Sequence, residues 1–328
     1  MKITMAHGSG GEETSKLIGD IFEAAFSNPV LDRMEDAAVV AGSQRIAVTT
    51  DSFVVTPLFF PGGDIGRLCV CGTVNDLLMS GADPKYLTCG FILEEGADTE
   101  ALKHIAASMA ETAAEAGVCI VAGDTKVVEG NGGIYINTSG VGFVPQGRDI
   151  GAACCRPGDA ILVSGSLGDH HAAILSSRMG IENQIQSDCA PLVEMVKNME
   201  QEGIRIHAMR DITRGGLATI ANEWAERCGL GICLEEKAIP VSPMVQSFCQ
   251  ILGLDPLYMG NEGKMAVAVD KNDEERALRC IRKSRYGQQA AVIGHIAENG
   301  QKTVIIRTAL GGERVVSKLY GEGLPRIC

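Results

Sequence analysis

The chain has 328 residues, which is enough for about two domains. It carries 29 lysines and arginines against 41 aspartates and glutamates, a formal net charge of −12, and only 4% of its residues are aromatic. Nucleic-acid binding needs a positive field and stacking surfaces, so this composition predicts no nucleic-acid partner. No run of about 18 apolar residues occurs, so we expect no membrane span, and 12 scattered cysteines favour a reducing, cytoplasmic location.

Predicted helices and strands follow one another along most of the chain. Apolar residues at helical spacing, among them Leu17, Ile21 and Phe22, predict a first helix over 13–26. The other predicted helices are 64–80, 99–116, 191–201, 215–227 and 271–284. The predicted strands are 37–41, 45–50, 86–93, 118–122, 133–144, 159–164, 231–234, 264–270, 290–296 and 303–307. This mixture predicts the α/β or α+β class.

A turn-rich stretch over 145–157 interrupts the pattern. We predict a domain boundary there, which divides the chain into an N-terminal domain, 1–153, and a C-terminal domain, 154–310. The last stretch, 311–328, is rich in glycine and loses its periodicity before it ends at Cys328. It is predicted to be a mobile tail.

Four aspartates each stand at the end of a short apolar run. They are Asp36, Asp51, Asp76 and Asp124. Mg²⁺ prefers hard oxygen ligands and commonly binds a few carboxylates together with substrate phosphates. Any one of these residues could instead be a cap or turn residue. The four together predict a metal–nucleotide site, although the usual phosphate-loop and dinucleotide signatures are absent from the sequence.

Two glycine-rich segments could present backbone N–H groups to phosphate. One is 7–11, which contains Gly10 and Gly11, and the other is 213–216, just before a predicted helix. A plain turn is the alternative for each. Cys328, the last residue, is a different candidate, because a thiol on a flexible arm can accept and carry a group from an activated donor.

These segments resemble the HypE family of hydrogenase maturation factors, which are carbamoyl dehydratases. The likeness covers nearly the whole chain. Its marks are 6–11, 50–52, 57–63, 74–76, 80–82, 89–95, 123–128, Asp211 with 213–216, 261–263 and the terminal Pro325-Arg326-Ile327-Cys328. The terminal tetrapeptide is the most specific mark. The glycine, aspartate and lysine segments are shared with aminoimidazole ribonucleotide synthetase, selenide water dikinase and thiamine-phosphate kinase, whereas the tail is not.

The resemblance implies a two-domain α/β fold of the PurM-like, aminoimidazole ribonucleotide synthetase type. It also implies a homodimer in which two N-terminal sheets form a barrel, with ATP near that interface. A partner carbamoyltransferase, HypF, would pass a carbamoyl group to the Cys328 thiol. The thiocarboxamide would then be dehydrated with ATP to a thiocyanate, with release of ADP and phosphate. The cyano group would pass to iron on a HypC–HypD scaffold complex.

The resemblance further implies roles for single residues. Cys328 would be the acceptor, Lys126 would bind phosphate or stabilise negative charge, and Glu262 would accept the N–H proton. The implied Mg²⁺ ligands are Asp36, Asp51, Asp76 and Asp124. The implied ATP-binding residues are Gly10, Gly11, Asp51, Asn75, Asp76, Asp124, Lys126, Asp211 and Thr213. Arg326 would dock the tail. The alternatives are a surface lysine at 126 and a solvated turn glutamate at 262.

One position departs from the family pattern, because His171 stands where a glycine is usual. This difference leaves the conformation of the turn around residue 171 undetermined. We favour a structural role for His170 and His171 over metal ligation, since adjacent histidines point in different directions.

Two other functions fit part of the sequence. A small-molecule ATP-dependent synthetase or kinase of the same superfamily would leave the tail without a role. A non-catalytic thiol carrier or scaffold would leave the carboxylate set without one. Cys328 therefore argues against the kinase, and the four aspartates argue against the scaffold.

Overall fold

The structure is a computed structural model that describes residues 2–9, 11–34, 37–298 and 302–318. Its strands form a four-stranded sheet, a seven-stranded sheet and a short two-stranded ribbon. Helices pack between and beside these sheets. The predicted mixed α/β fold is confirmed. Gly10, Asp36, Arg326 and Cys328 lie outside the described residues.

After a short 3-10 helix (Met5–Gly8), the N-terminal elements continue with one unbroken helical segment and end at the last strand of the smaller sheet. In chain order they are α1 (Glu12–Leu17), a π-helical turn (Ile18–Glu23), α2 (Ala24–Phe26), β1 (Ile46–Phe53), β2 (Phe59–Phe60), β3 (Gly63–Asp64), α3 (Ile65–Met79), β4 (Asp83–Glu94), α4 (Thr99–Ala116), β5 (Cys119–Val128) and β6 (Ile134–Phe143). The sheet order is β1-β6-β4-β5, and only β4 and β5 run parallel.

The smaller sheet has one covered face and one open face. Helix α3 packs on β1 and β6, and successive β1 residues alternate between half-buried and exposed. Ile46, Val48 and Ile92 are 55%, 67% and 47% exposed on the other face. Because side chains alternate across a strand, this open face has no cover among the described parts of the chain.

The C-terminal elements form the larger sheet with helices around it. In chain order they are β7 (Ala160–Val163), α5 (Asp169–Met179), α6 (Val193–Gln201), β8 (Ile206–Asp211), α7 (Gly216–Cys228), β9 (Ile232–Glu235), α8 (Pro243–Leu252), β10 (Met265–Val269), α9 (Glu274–Lys283), β11 (Ala291–Ile296), β12 (Val304–Arg307) and β13 (Glu313–Val315). The order is β13-β12-β9-β11-β7-β10-β8. Strands β7 and β10 are buried along their whole length, which explains their continuous apolar sequences.

Helix α3 joins the two halves of the molecule. Its first turn is capped by Asp64, whose Oδ1 accepts the N–H groups of Gly66 and Arg67 at 2.7 and 3.0 Å. Thirteen of its 15 residues are buried, because it packs on the smaller sheet, on α4 and on β8 of the larger sheet. A helix that is apolar on every side belongs in an interior. This helix therefore carries its few polar residues into the junction between the sheets.

Several predicted boundaries differ from the structure. The predicted strand 37–41 is wrong, since these residues form no regular element. Helix α5 was not predicted, because its sequence contains adjacent buried histidines instead of an amphipathic stripe. Strand β13 lies within the segment predicted as tail and pairs with β12. The boundary predicted near residue 153 lies in the turn Ala152–Cys154 and stays a prediction.

Across the ranges that the structure describes, every helix is too short or too polar to cross a bilayer.

Candidate functional site

Four carboxyl groups from both halves of the chain meet at the junction beside α3. Asp51 comes from β1, Asp76 from α3, Asp211 from the end of β8, and Glu262 from the loop before β10. We call these four residues the acid cluster. Thr49, also on β1, donates its hydroxyl to Asp76 Oδ2 at 2.8 Å. The fold thus unites residues that are more than 200 positions apart in the sequence.

In the acid cluster Asp211 and Glu262 are buried, Asp51 and Asp76 are half-buried, and their charges act on one another. Burial raises the pKa of Asp211 to about 7, and the nearby Asp76 adds to the shift. Burial likewise raises the pKa of Asp51, with a further contribution from Asp76. The pKa of Glu262 is raised well above its ordinary value, first by burial and then by neighbours that include Asp211 and Asp51. These carboxyls would be stabilised by a cation placed among them.

The oxygen donors of the cluster suit Mg²⁺ in chemistry, since Mg²⁺ binds one or two carboxylates together with substrate phosphates. In the part of the chain that the structure describes, no three histidine, cysteine or acidic side chains are arranged as a complete metal site. Asp51 and Asp76 lie together, whereas Asp36 falls outside the described residues. The protein carboxylates therefore fit a cation that shares its remaining ligands with phosphate.

Glu262 is held in a crowded loop. Glu262 is only 9% exposed, and its backbone N–H donates to Asp188 Oδ1 at 3.0 Å. The next residue is Gly263, where a Cβ atom would lie 1.9 Å from the Asp188 carbonyl oxygen. Burial and the neighbouring acids raise the pKa of Glu262 and so favour its protonated form. A cation bound in the acid cluster would favour the ionised carboxylate, which is the form that can accept a proton.

Asn75 lies beside the cluster with its side-chain amide engaged by the main chain. Its Nδ2 donates to the carbonyl oxygens of Ala190 and Glu262 at 3.1 and 3.4 Å, and its Oδ1 accepts the Leu192 N–H at 2.9 Å. The residue is 1% exposed. The structure thus places Asn75 as a link between α3 and the segment before α6. Its predicted contact with ATP stays a prediction.

Asp124 and Lys126 form an ion pair away from the acid cluster. The Lys126 Nζ lies 2.6 and 2.5 Å from the two carboxylate oxygens of Asp124 and lowers the pKa of that carboxyl. In the sheet register Asp124 shares a row with Ser52, and Asp51 shares the next row with Thr138. Neighbouring rows face opposite sides, and three strand spacings separate β1 from β5 by about 14 Å. Within one chain, Asp124 and Asp51 therefore lie apart.

A cavity of about 300 Å³ opens between the first helix and β5. Its apolar wall includes Phe22, Phe26 and Phe91, and Asp124 and Lys126 also line it. This volume lies at the lower end of small-molecule sites, which are mostly apolar with a few polar groups. The same cavity is bordered by the glycine-rich start of the chain.

That glycine-rich start packs closely on β5. At Gly8 a Cβ atom would lie 2.8 Å from the Val127 Cβ, so a larger residue would not fit without movement. Gly11 is exposed and caps the start of α1. The predicted phosphate segment therefore lies near Asp124 and Lys126, not beside the acid cluster.

The second glycine-rich segment leads from Asp211 into α7. Thr213 accepts the Gly216 N–H with its carbonyl oxygen at 3.0 Å. Gly216 has a φ of 61°, and a Cβ there would lie 2.4 Å from the Leu257 carbonyl oxygen. Only glycine fits this turn. Arg214 is close enough to the acid cluster to oppose the rise in the pKa of Asp51.

His170 and His171 are buried in the C-terminal half. The Nδ1 of His170 lies 2.8 Å from the Ser187 hydroxyl, and its ring packs edge-on against Phe60. Burial lowers the pKa of both histidines to about 4. Both residues fill the interior beside the junction.

Sequence reasoning missed the residues that support the site. Asp188 and Lys264 face each other with Oδ2 and Nζ 3.4 Å apart, and their side chains are only 4% and 10% exposed. Arg67 joins the two halves by donating to the Cys189 carbonyl at 2.8 Å and to Glu115 at 2.9 Å. No motif marks these residues, because each acts through a contact distant in sequence.

Two protein-family models match the chain. "AIR synthase related protein, N-terminal domain" matches residues 34–144, and "AIR synthase related protein, C-terminal domain" matches residues 156–307. The chain is 47% identical to the carbamoyl dehydratase HypE of Rhodobacter capsulatus, over 100% of this chain and 98% of the relative. It is 50% identical to that of Cupriavidus necator, over 100% of this chain and 95% of the relative.

Solved structures of HypE proteins are also similar to this chain. A crystal structure of HypE in complex with ATP superimposes with a TM-score of 0.94 at 45% identity, covering 99% of both chains. The chain also matches a HypE–HypF complex, with a TM-score of 0.81 at 46% identity, over 92% of this chain and 99% of that chain. Thiamine-monophosphate kinase of Stenotrophomonas maltophilia shares the fold. It matches with a TM-score of 0.69 at 20% identity, over 88% of this chain and 95% of the kinase.

Proposed function

Because the chain belongs to the HypE family of carbamoyl dehydratases, we propose that it converts a thiocarboxamide on Cys328 into a thiocyanate at the expense of ATP. The product would supply cyanide ligands to [NiFe]-hydrogenases. The single observation that carries the proposal is the acid cluster, in which both halves of the chain bring carboxyl groups together around the buried Glu262. Cys328 lies outside the described residues.

The chemistry requires an oxygen to leave an amide. The thiocarboxamide oxygen attacks the γ-phosphoryl group of ATP, and the bond between that phosphorus and ADP breaks. The C–O bond then breaks with inorganic phosphate as the leaving group, while nitrogen loses two protons and forms the C≡N bond. Glu262 accepts an N–H proton in its ionised form, which a cation bound in the acid cluster would favour over the protonated form that burial alone favours.

The proposed Mg²⁺ ligands are Asp51, Asp76 and Asp124 among the described residues, together with Asp36; because Asp124 lies apart from Asp51 within one chain, it would join the site from a second copy. Bound Mg²⁺ would neutralise the charge of the transferring phosphoryl group. Asp211 and Thr213 would face the same phosphates from the C-terminal half. The pKa of Asp211, raised to about 7, supports this role, because a cation bound nearby would lower that pKa and keep the carboxylate ionised.

The nucleotide would also contact the β5 side of the molecule. We assign phosphate contacts to Lys126, Gly10 and Gly11, with Asp124 facing the phosphates through Mg²⁺, and the apolar cavity beside them offers a place for the base. A HypE relative binds ATP, which supports this assignment. Since β5 and the acid cluster lie apart within one chain, we propose that a second copy covers the open sheet face and completes the site in a homodimer.

Partner proteins follow from the same chemistry. A carbamoyltransferase must load Cys328, and a HypE relative forms a complex with HypF. An iron-carrying acceptor, the HypC–HypD complex, would take the cyano group. We propose Arg326 as the residue that docks the tail, and a cytoplasmic location for all of these steps.

Intact-protein mass spectrometry tests this function. The native chain and a Cys328→Ala variant are incubated with HypF, carbamoyl phosphate and ATP. We expect a carbamoyl adduct and then a cyano adduct on the native chain alone. The same two adducts on Cys328→Ala would refute the proposal. ATP turnover that persists in Cys328→Ala with a small-molecule acceptor would instead favour the kinase alternative.

A further inference from the structure

The main chain of Glu262 is held on both sides by buried side chains. Its N–H donates to Asp188 Oδ1 at 3.0 Å, and its carbonyl oxygen accepts from Asn75 Nδ2 at 3.4 Å. The geometry points to Asp188 and Asn75 as positioning residues that fix the direction of the Glu262 carboxyl within the acid cluster. This inference rests on the proposed role of Glu262 as proton acceptor.

Asp188 uses its second oxygen to hold the residues that follow Glu262. Its Oδ2 faces the Lys264 Nζ at 3.4 Å, and that Nζ also donates to the Gly263 carbonyl at 3.3 Å. Lys264 is 8% exposed, and Asp188 Oδ2 has no hydrogen bond among the described residues. Buried charges in proteins are usually paired, as Asp188 and Lys264 are here. Asp188 thus contacts both ends of the Glu262–Lys264 turn, the Glu262 N–H with one oxygen and the Lys264 ammonium group with the other.

The segment 187–192, which carries Asp188, is itself tied to α3. Arg67 Nε donates to the Cys189 carbonyl at 2.8 Å, and Asn75 binds Ala190 and Leu192. A Cβ on Gly263 would collide with the Asp188 carbonyl, so the two loops are in direct contact. Contacts therefore run from α3, in the other half of the chain, through the segment 187–192 to the loop that carries Glu262.

A positioning role makes a distinct kinetic prediction. The full chain is first carbamoylated at Cys328, and the conversion to the cyano form is then followed against ATP concentration. We expect Asp188→Ala to lower the maximal rate by about 100-fold, because small displacements of a reacting group have effects of that size. The ATP concentration at half-maximal rate is expected to stay within about two-fold of the native value, since Asp188 does not contact nucleotide in the proposed site.

Two further variants separate positioning from folding. The double variant Asp188→Asn with Lys264→Met keeps an oxygen acceptor for the Glu262 N–H without an unpaired buried charge, and we expect it to recover most of the rate. Asp273 is a matched control, because it is also buried, accepts a backbone N–H from Arg205 at 3.1 Å and pairs with arginines. Asp273→Ala is expected to lower the melting temperature and leave the maximal rate unchanged.

Three results would overturn the inference. They are a native rate in Asp188→Ala, an equal loss of rate in Asp273→Ala, and a double variant as slow as Asp188→Ala. If Asp188→Ala does not fold, the Asn75→Asp variant is measured instead. That change keeps the oxygen that accepts the Leu192 N–H and removes the amide that donates to the Glu262 carbonyl. A native rate in Asn75→Asp would also overturn the inference. Glu262→Gln distinguishes the two proposals. A native rate in Glu262→Gln refutes the proton-acceptor role itself, whereas a slow Glu262→Gln beside a native Asp188→Ala refutes only the positioning role.

Discussion

The ammonium group of Lys126 lies 2.5 Å from Asp124 Oδ2, on the open face of the smaller sheet. Both side chains are about two-thirds exposed, at 65% and 67%. Exposed ion pairs contribute little to folding, so this one has a small structural role. It is better explained by the ligand that the two residues are proposed to share.

Replacing Lys126 therefore separates stability from activity. We expect Lys126→Ala to change the free energy of unfolding by less than about 1 kcal/mol. The rate of the dehydration step should fall by about 100-fold or more, because charge stabilisation at a reacting phosphoryl group is lost. Denaturant unfolding and single-turnover mass spectrometry measure the two quantities. Lys103→Ala is the control, since Lys103 forms a similarly exposed pair with Glu100 at 3.0 Å; an equal loss of rate there would contradict the assignment.

The acid cluster predicts an unusual pH dependence of stability. The pKa of Asp211 is about 7 in the folded chain and near 3.8 when unfolded, so the unfolded state releases its proton first. Stability is then lost as the pH rises from about 4 to about 7. We expect Asp211→Asn to raise the free energy of unfolding at pH 8, without nucleotide, by roughly 2–4 kcal/mol, and to have little effect near pH 4. Urea unfolding at both pH values measures the free energy of unfolding. If Asp211→Asn were less stable than the native chain at pH 8, the raised pKa of Asp211 in the acid cluster would be contradicted.

The buried histidines act in the opposite direction. His170 and His171 have pKa values of about 4 in the folded chain, against about 6.5 when unfolded, so the unfolded state binds protons first as the pH falls. Their contribution to stability is present above about pH 6.5 and lost toward pH 4, by roughly 3 kcal/mol for each residue. We expect His171→Leu to lose less stability than the native chain between pH 7.5 and pH 5. Parallel losses in urea unfolding would show that His171 does not control the acid sensitivity.

Arg67 is predicted to stabilise the junction between the two halves. It is 20% exposed and donates to the Cys189 carbonyl, to Glu115 and to the Tyr286 hydroxyl, the last at 3.1 Å. We expect Arg67→Ala to lower the free energy of unfolding by about 2–4 kcal/mol, because its partners lose their donor in a half-buried place. Arg279→Ala is the comparison, since Arg279 is 69% exposed in its pair with Glu275. Equal effects in thermal or denaturant unfolding would contradict the role of Arg67.

Periodic patterns made much of the fold predictable. The helices α3 and α4 and the strands β7 and β10 follow directly from apolar spacing and run length. Elements with mixed or polar sequences could not be recognised in this way. Strand β8 contains His207, Arg210 and Asp211, and its place at the sheet edge next to α3 is a tertiary effect.

The candidate site was predictable only in part. Asp51, Asp76, Asp211 and Glu262 could be named from the sequence, and the structure brings them together. Their contact depends on two halves of the chain meeting at α3, which no local pattern encodes. Asp188 could not be found, because its contacts, a hydrogen bond from Glu262 and an ion pair with Lys264, are with residues distant in the sequence.

Isotope transfer is the most direct measurement of the proposed reaction. The chain is carbamoylated at Cys328 with a carbamoyl group labelled with ¹⁸O at its carbonyl oxygen, freed of HypF and small molecules, and given ATP in unlabelled water. We expect one labelled inorganic phosphate for each thiocyanate formed, because the amide oxygen leaves on phosphorus. Label released into water, or thiocyanate formed without ADP, would contradict dehydration by phosphorylation.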